Sequence, residues 1–216
     1  MFFNGDSRDT ELVCVLNGGS RNGVQCFVAD KKRGLLAIPQ SQRSLNVNQT
    51  TPPSGPPNSL SDIIFSEDGS KLFAAVKGNP PQPGFIATWD VQHDGSLSQN
   101  FDKSVPEGGA LPFSMTPIPG TGALLNTDPG IGYNIFDFSK GNVASSKSYP
   151  VAGQKTICWS VRSQQTGTYF IIDVGTAIIT ELGIDKNLNP LIVKQYQQTN
   201  GSAISDSAIG TIDGHE

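Results

Sequence analysis

The sequence predicts an all-β chain made of repeated four-stranded antiparallel sheets. Three observations carry that prediction. Short β-branched and aromatic runs alternate with turn residues along the whole chain, no stretch keeps a period of 3.6 residues between two helix caps, and one hairpin recurs at a nearly fixed interval. Composition agrees. Hydrophobic residues make up 36% of the 216 positions and charged residues 16%, while 24 glycines and 15 prolines supply turns.

The best-formed unit runs from Ser61 to Gln99. Turn signals at Glu67-Asp68-Gly69, Asn79 to Gly84 and His93-Asp94-Gly95 divide it into four strands, here A to D. The C–D hairpin recurs four times. Phe27 to Asp30 turns into Leu35–Ile38, Trp89 to Val91 into Ser96-Leu97, Phe136 to Phe138 into Asn142-Val143, and Leu182 to Ile184 into Leu191–Val193. From Phe27 to Trp89 is 62 residues, to Phe136 a further 47 and to Leu182 a further 46. The last two intervals fit a four-stranded blade, a unit of roughly 40–50 residues. The first is longer because the Pro-rich stretch Asn46 to Asn58 is inserted, and prolines there forbid a strand. The A–B hairpin also recurs, as Asp62–Phe65 with Leu72–Val76, Phe113–Ile118 with Ala123–Thr127, and Ile157–Val161 with Tyr169–Asp173.

These repeats predict a β-propeller with about four blades in this chain. Residues 1–10 are expected to form a tail. Strands B, C and D of a first blade fill 11–45, three blades span 59–100, 111–148 and 155–196, and a last strand A covers 204–212. Two readings of the ring follow. The last strand A completes the first blade and closes a ring of four, or the chain is an arc of a larger ring; the second is preferred. An open arc leaves two blade faces uncovered, through which copies would self-associate.

The formal net charge is −4, and no basic face of the kind nucleic acid requires is visible. No apolar run approaches the ~18–20 residues of a membrane span. The start, Met1-Phe2-Phe3-Asn4-Gly5-Asp6, turns polar too soon for a signal peptide, so the compartment stays open. Two glycosylation sequons, Asn48-Gln49-Thr50 and Asn200-Gly201-Ser202, fall in loop-like stretches. Of three cysteines, Cys14 and Cys26 face each other across an expected hairpin. They are read as buried thiols, with a disulfide as the alternative, and Cys158 as a core thiol. Asp90 to Gly95 imitates the start of a calcium loop, but position 12 is Phe101. No zinc-ligand spacing appears, and Gly120-Thr121-Gly122 lacks a dinucleotide-binding context, so neither metal nor organic cofactor is expected.

Several phrases resemble one propeller family. They are Val13 to Ser20 (VCVLNGGS), the A–B turn Phe65 to Leu72 (FSEDGSKL), and the B–C corners Thr127-Asp128-Pro129-Gly130 and Ile172-Asp173-Val174-Gly175. Together, over roughly residues 11–214, they resemble the seven-bladed lactonase propellers, a family that includes 6-phosphogluconolactonase and the fungal 3-carboxy-cis,cis-muconate lactonizing enzyme. Val76-Lys77-Gly78, Pro83-Gly84-Phe85 and Leu111 to Thr116 are similar to a fungal 3-carboxymuconate cyclase-like branch. The resemblance implies three further blades. It also implies an enzyme, cycloisomerase or lactone hydrolase, that acts without a cofactor on a small carboxylated lactone or muconate-type acid. The alternative is a non-catalytic or truncated propeller that serves as a binding scaffold.

In a propeller, chemistry sits where strand A starts and where the B–C loops surround the channel. The strand-A starts supply Asp62, Ser114, Ser160 and Asp206, and the B–C loops supply Arg21, Lys77, Asp128 and Asp173. Asp62, Asp128, Asp173 and Asp206 are the catalytic candidates, and Lys77 is the candidate for holding a substrate carboxylate. Each has a plainer reading: rim lining for Asp62 and Asp206, turn bracing for Asp128 and Asp173, a solvated cation for Lys77. Family sites rely on His, Arg and Glu. Here the two histidines are His93, at a hairpin tip, and His215, next to the end, and Asp62 stands where relatives carry a His. No catalytic residue is carried over.

Overall fold

A computed structural model describes residues 2–4, 11–199 and 201–212. No helix occurs among them. Four separate antiparallel meanders follow one another along the chain as four blades of a β-propeller. Blade 1 holds β1 (Phe2–Asn4), β2 (Glu11–Asn17), β3 (Gly23–Asp30), β4 (Gly34–Ala37) and β5 (Arg43–Ser44). Blade 2 is β6 (Leu60–Phe65), β7 (Lys71–Val76), β8 (Phe85–Asp90) and β9 (Asp102–Ser104). Blade 3 is β10 (Met115–Ile118), β11 (Ala123–Asp128), β12 (Gly132–Asp137) and β13 (Ser145–Pro150). Blade 4 is β14 (Ile157–Arg162), β15 (Tyr169–Asp173), β16 (Ile178–Ile184) and β17 (Pro190–Gln197).

The middle strands of blades 2 and 3, β7, β8, β11 and β12, are buried on both faces because alternate side chains feed two different cores. In β7, Leu72, Ala74 and Val76 pack toward blade 1 with Cys14, Cys26 and Leu45. Phe73 and Ala75, one step out of phase, pack toward blade 3 with Leu124, Phe136 and Phe138. In β11 the alternation repeats, since Leu124 serves that core while Ala123 and Leu125 join Ile157, Tyr169 and Ile171 of blade 4. Moving either strand by one residue would exchange its two cores, so register is tightly specified.

Four expectations need correction. The span 1–10 is not all tail, because β1 pairs with β2, Phe2 opposite Cys14 and Asn4 opposite Leu12. Blade 1 therefore has its own inner strand. The expected strand at 204–212 has no gap there to fill, and 204–211 run without strand structure. This removes the closed ring of four. The outer strands also start later than the hairpins suggested. Blade 2 has only a single bridge at Val91 and Leu97, and its fourth strand is Asp102–Ser104. In blade 3 the fourth strand is Ser145–Pro150 rather than Asn142-Val143. In blade 1 the fourth strand is split. Pro39 lacks an N–H and ends β4, and β5 resumes pairing opposite Gly23 and Val24. The Ser41 hydroxyl fills the break and accepts the Cys26 N–H at 3.1 Å.

Finally, Cys14 and Cys26 are joined by a disulfide rather than left as thiols. They are directly opposed, with Cα atoms 4.1 Å apart, and the backbone of Cys26 bonds toward Ile38 and Ser41 instead of toward Cys14. That is the closely spaced kind of antiparallel pair, where side chains come nearest.

Candidate functional site

The inner strands of adjacent blades diverge and share no backbone ladder, so side chains bridge them. Asp62 on β6 accepts the N–H of Met115 on β10 at 2.7 Å through Oδ2, and its own neighbour Ile63 donates to Oδ1 at 2.8 Å. A bulge at Ser61 precedes it, and a bulge of this kind re-aims the side chain that follows. One blade on, Ser114 Oγ accepts the Ser160 N–H at 3.3 Å, and the Ser160 hydroxyl lies 2.7 Å from Thr116 Oγ1. Asp62, Ser114, Thr116, Ser160, Arg162 and Asp206 line one cavity of about 680 Å³ along these strands. The terminal segment thus brings Asp206 to the hub without forming a strand. A second cavity, about 360 Å³, lies beside the A–B turns, shares Ser66, Glu67 and Pro117 with the first, and is mainly apolar.

Asp62 has two hydrogen-bond donors and, among the described residues, no cation within ion-pair distance. Burial pushes its carboxyl up from 3.8 to about 6, and the Met115 and Ile63 N–H groups only partly oppose that. A carboxyl poised there takes and returns a proton near neutral pH. Arg162 lies over the Tyr169 ring at 5.9 Å and carries a buried Nε without a hydrogen bond.

The B–C corners fall into two kinds. Asp128 is fully buried and accepts N–H groups from Ala110 and Leu111 on Oδ2 and from Gly130 on Oδ1, all at 2.9–3.0 Å. Asp173 repeats the pattern with Lys155, Thr156 and Gly175 at 2.7–2.9 Å. Burial of Asp173 favours the neutral acid, yet these N–H groups outweigh it and hold the carboxyl below its ordinary value. Both tie a corner to the connection entering the same blade. Lys77 occupies that corner in blade 2 and does the reverse. The residue is 9% exposed, its ammonium sits 4.2 Å above the Phe113 ring, and among the described residues that ammonium donates to Ser59 Oγ at 3.3 Å. No carboxylate lies within ion-pair distance among the described residues. Burial lowers its pKa, and the thiol of Cys158 acts the other way. Phe113 in turn meets Trp159 edge-on at 4.9 Å.

The structure therefore gathers Asp62 and Asp206 along one cavity, buries Lys77 against Phe113 outside that cavity's lining, and uses Asp128 and Asp173 as braces. Arg21 and His93 are exposed, whereas His215 and Asn200 lie outside the described residues. Thr116, Arg162 and the Phe113–Trp159 pair were not singled out from the sequence. Period-two counting from Ser114 and Ser160 would have found the first two. Among the described residues no group of three His, Cys, Asp or Glu side chains is placed to hold a metal.

No family model and no curated protein matches the chain. Solved structures do. A periplasmic gluconolactonase of Pseudomonas aeruginosa aligns with a TM-score of 0.73 at 15% identity, over 93% of this chain and 57% of its own. A putative 6-phosphogluconolactonase from Bacteroides fragilis aligns at 0.62 and 14%, over 93% and 58%. A protein from Lactobacillus plantarum aligns at 0.66 and 11%, over 93% and 56%. The chain spans a little over half the length of each of these propellers. At these identities the likeness concerns the fold alone, and that fold is the β-propeller.

Proposed function

We propose that the hub hydrolyses or forms a small carboxylated lactone, with Asp62 as the proton-transfer group and Lys77 as the anchor for the substrate carboxylate. The observation that carries this reading is a half-buried carboxyl with no counter-ion among the described residues, pushed up to about 6, facing a cavity edged by hydroxyls. In hydrolysis, ionised Asp62 takes a proton from a water as its oxygen attacks the lactone carbonyl. The hydroxyls of Ser114, Thr116 and Ser160 are the donors at hand for the developing oxyanion. The ring C–O bond then breaks, and Asp62 returns the proton to the leaving oxygen. In cyclisation of a muconate-type acid, a carboxylate oxygen adds across a double bond, and protonated Asp62 delivers its proton to the carbon.

Lys77 supports the carboxylate part of the reading, because a buried ammonium with no counter-ion among the described residues is completed by an anion. Two residues along a strand span about 7 Å, so the Phe113 level of Lys77 and the Met115 level of Asp62 are one small molecule apart. On this reading the chain forms four blades of a seven-bladed ring, with 3-carboxymuconate and 6-phosphogluconolactone as substrates to test. A binding hub without turnover is the second reading, favoured by Arg162 being occupied by Tyr169.

The test is turnover by the full-length protein, followed by ultraviolet absorbance for 3-carboxymuconate and by acid release for gluconolactones. Lactone hydrolysis that falls as pH drops through about 6, or cyclisation that falls as pH rises through it, and that disappears in Asp62→Asn supports the proposal. Saturable binding of both compounds with no turnover selects the binding hub.

A further inference from the structure

We infer that Asn48 carries an N-linked oligosaccharide and that this chain acquires it while folding in an oxidising secretory lumen. Two independent features meet in that inference. The first is the Cys14–Cys26 bond, whose residues are 1% and 0% exposed and sit in the core between blades 1 and 2. Once the blades pack, no oxidant reaches those sulfurs. The bond must form as the chain folds, when two thiols give up two protons and two electrons to a disulfide-carrying oxidoreductase. Compartments that support this are the ones outside the reducing cytosol.

The second feature is the sequon itself. Asn48-Gln49-Thr50 has no proline at its middle position. Asn48 lies in the connection between blades 1 and 2, its side chain is exposed, and its carboxamide makes no hydrogen bond to a described residue. Its neighbours are held instead. The Val47 N–H donates to Asn22 Oδ1 at 3.0 Å. Gln49 bridges the loop, donating to the Pro57 carbonyl at 2.8 Å and accepting the Ser54 N–H at 3.0 Å. Thr51 Oγ1 accepts the Ser20 N–H at 2.9 Å and fastens the loop to the corner of blade 1. The loop keeps its shape without the Asn48 side chain, which points to a position that tolerates a bulky substituent. In the transfer, Asn48 Nδ2 forms a bond to C1 of an oligosaccharide and loses a proton, and a lipid-linked pyrophosphate leaves. The glycan would stand at the same end of the blades as the hub mouth, since the loop is a D-to-A connection.

The test is secretion of the full chain from a eukaryotic host behind a cleavable leader, followed by peptide mapping before and after an amidase that removes N-linked glycans. The expected result is a glycosylated peptide containing Asn48 and loss of one glycan in Asn48→Gln, with Thr50→Ser retaining it. Melting temperature should be unchanged in Asn48→Gln, because the loop bonds do not involve that side chain. Mapping the unaltered chain keeps the test valid even if a variant misfolds. An unmodified Asn48 peptide from protein whose Cys14–Cys26 bond has formed overturns the proposal. So does a free Cys14–Cys26 dithiol in the folded secreted protein.

Discussion

Asp128 and Asp62 are both shielded carboxyls on neighbouring blades, and they are built for opposite ends. Asp128 collects three backbone N–H groups from two connections. Asp62 collects two, one of them from its own neighbour in sequence, and faces a cavity. Desolvation acts on such groups in the same sense, toward the neutral acid. How far fixed donors compensate shows in the two carboxyls that shift: the donors hold Asp173 below its ordinary value and leave Asp62 above it. Lys77 extends the comparison, because a cation replaces the bracing acid at the B–C corner of blade 2 and lies over Phe113, which in turn meets Trp159.

The largest expected effect comes from breaking a brace. Asp128→Ala strands three N–H donors in a buried corner, at a cost of at least about 3 kcal/mol. Chemical denaturation should show that loss, and Asp173→Ala should behave alike. A loss below about 1 kcal/mol would mean that water replaces the carboxylate, and the comparison would fail.

Asp62→Asn should act next most strongly, and through pH. The folded pKa of about 6 lies above the ordinary 3.8, so the folded state binds the proton more tightly than the unfolded state does. Stability from this group is full below about pH 4, declines as pH rises through 4 to 6, and stays reduced above that, by up to about 3 kcal/mol. Denaturation midpoints of the unaltered protein minus those of Asp62→Asn should follow that curve. A flat difference would show that Asp62 is not desolvated.

The smallest effect concerns Lys77→Met. The thioether side chain keeps the packing against Phe113, so stability should change by under about 1 kcal/mol or rise slightly. Under the proposed function KM for a carboxylated lactone should rise about tenfold while kcat holds, the signature of lost ground-state binding. An unchanged KM would remove Lys77 from the site.

How much of this was legible in the sequence follows from where information is local. The inner and middle strands show apolar runs with turn residues at each end, and blades 2 to 4 were placed from them. The outer strands were not, because β9 and β13 are polar and largely exposed and carry no apolar signal. The three residues of β1 are too short to show alternation. In the site, Asp62 and Lys77 could be named from their position in the repeat. Their character could not, because it rests on contacts distant in sequence. Met115 lies 53 residues beyond Asp62, and the Phe113 ring comes from the next blade. The disulfide was undecided because hairpin register, not cysteine spacing, determines whether two opposed residues form the close pair.

The most direct test of the contrast between hub and brace is a carboxyl-carbon NMR titration of the aspartates in the folded chain. Asp62 should titrate near pH 6 while Asp173 titrates below 3.8. An Asp62 midpoint at or below 3.8 would make it a third brace in all but position, and the proton-transfer role of the hub would fall with it.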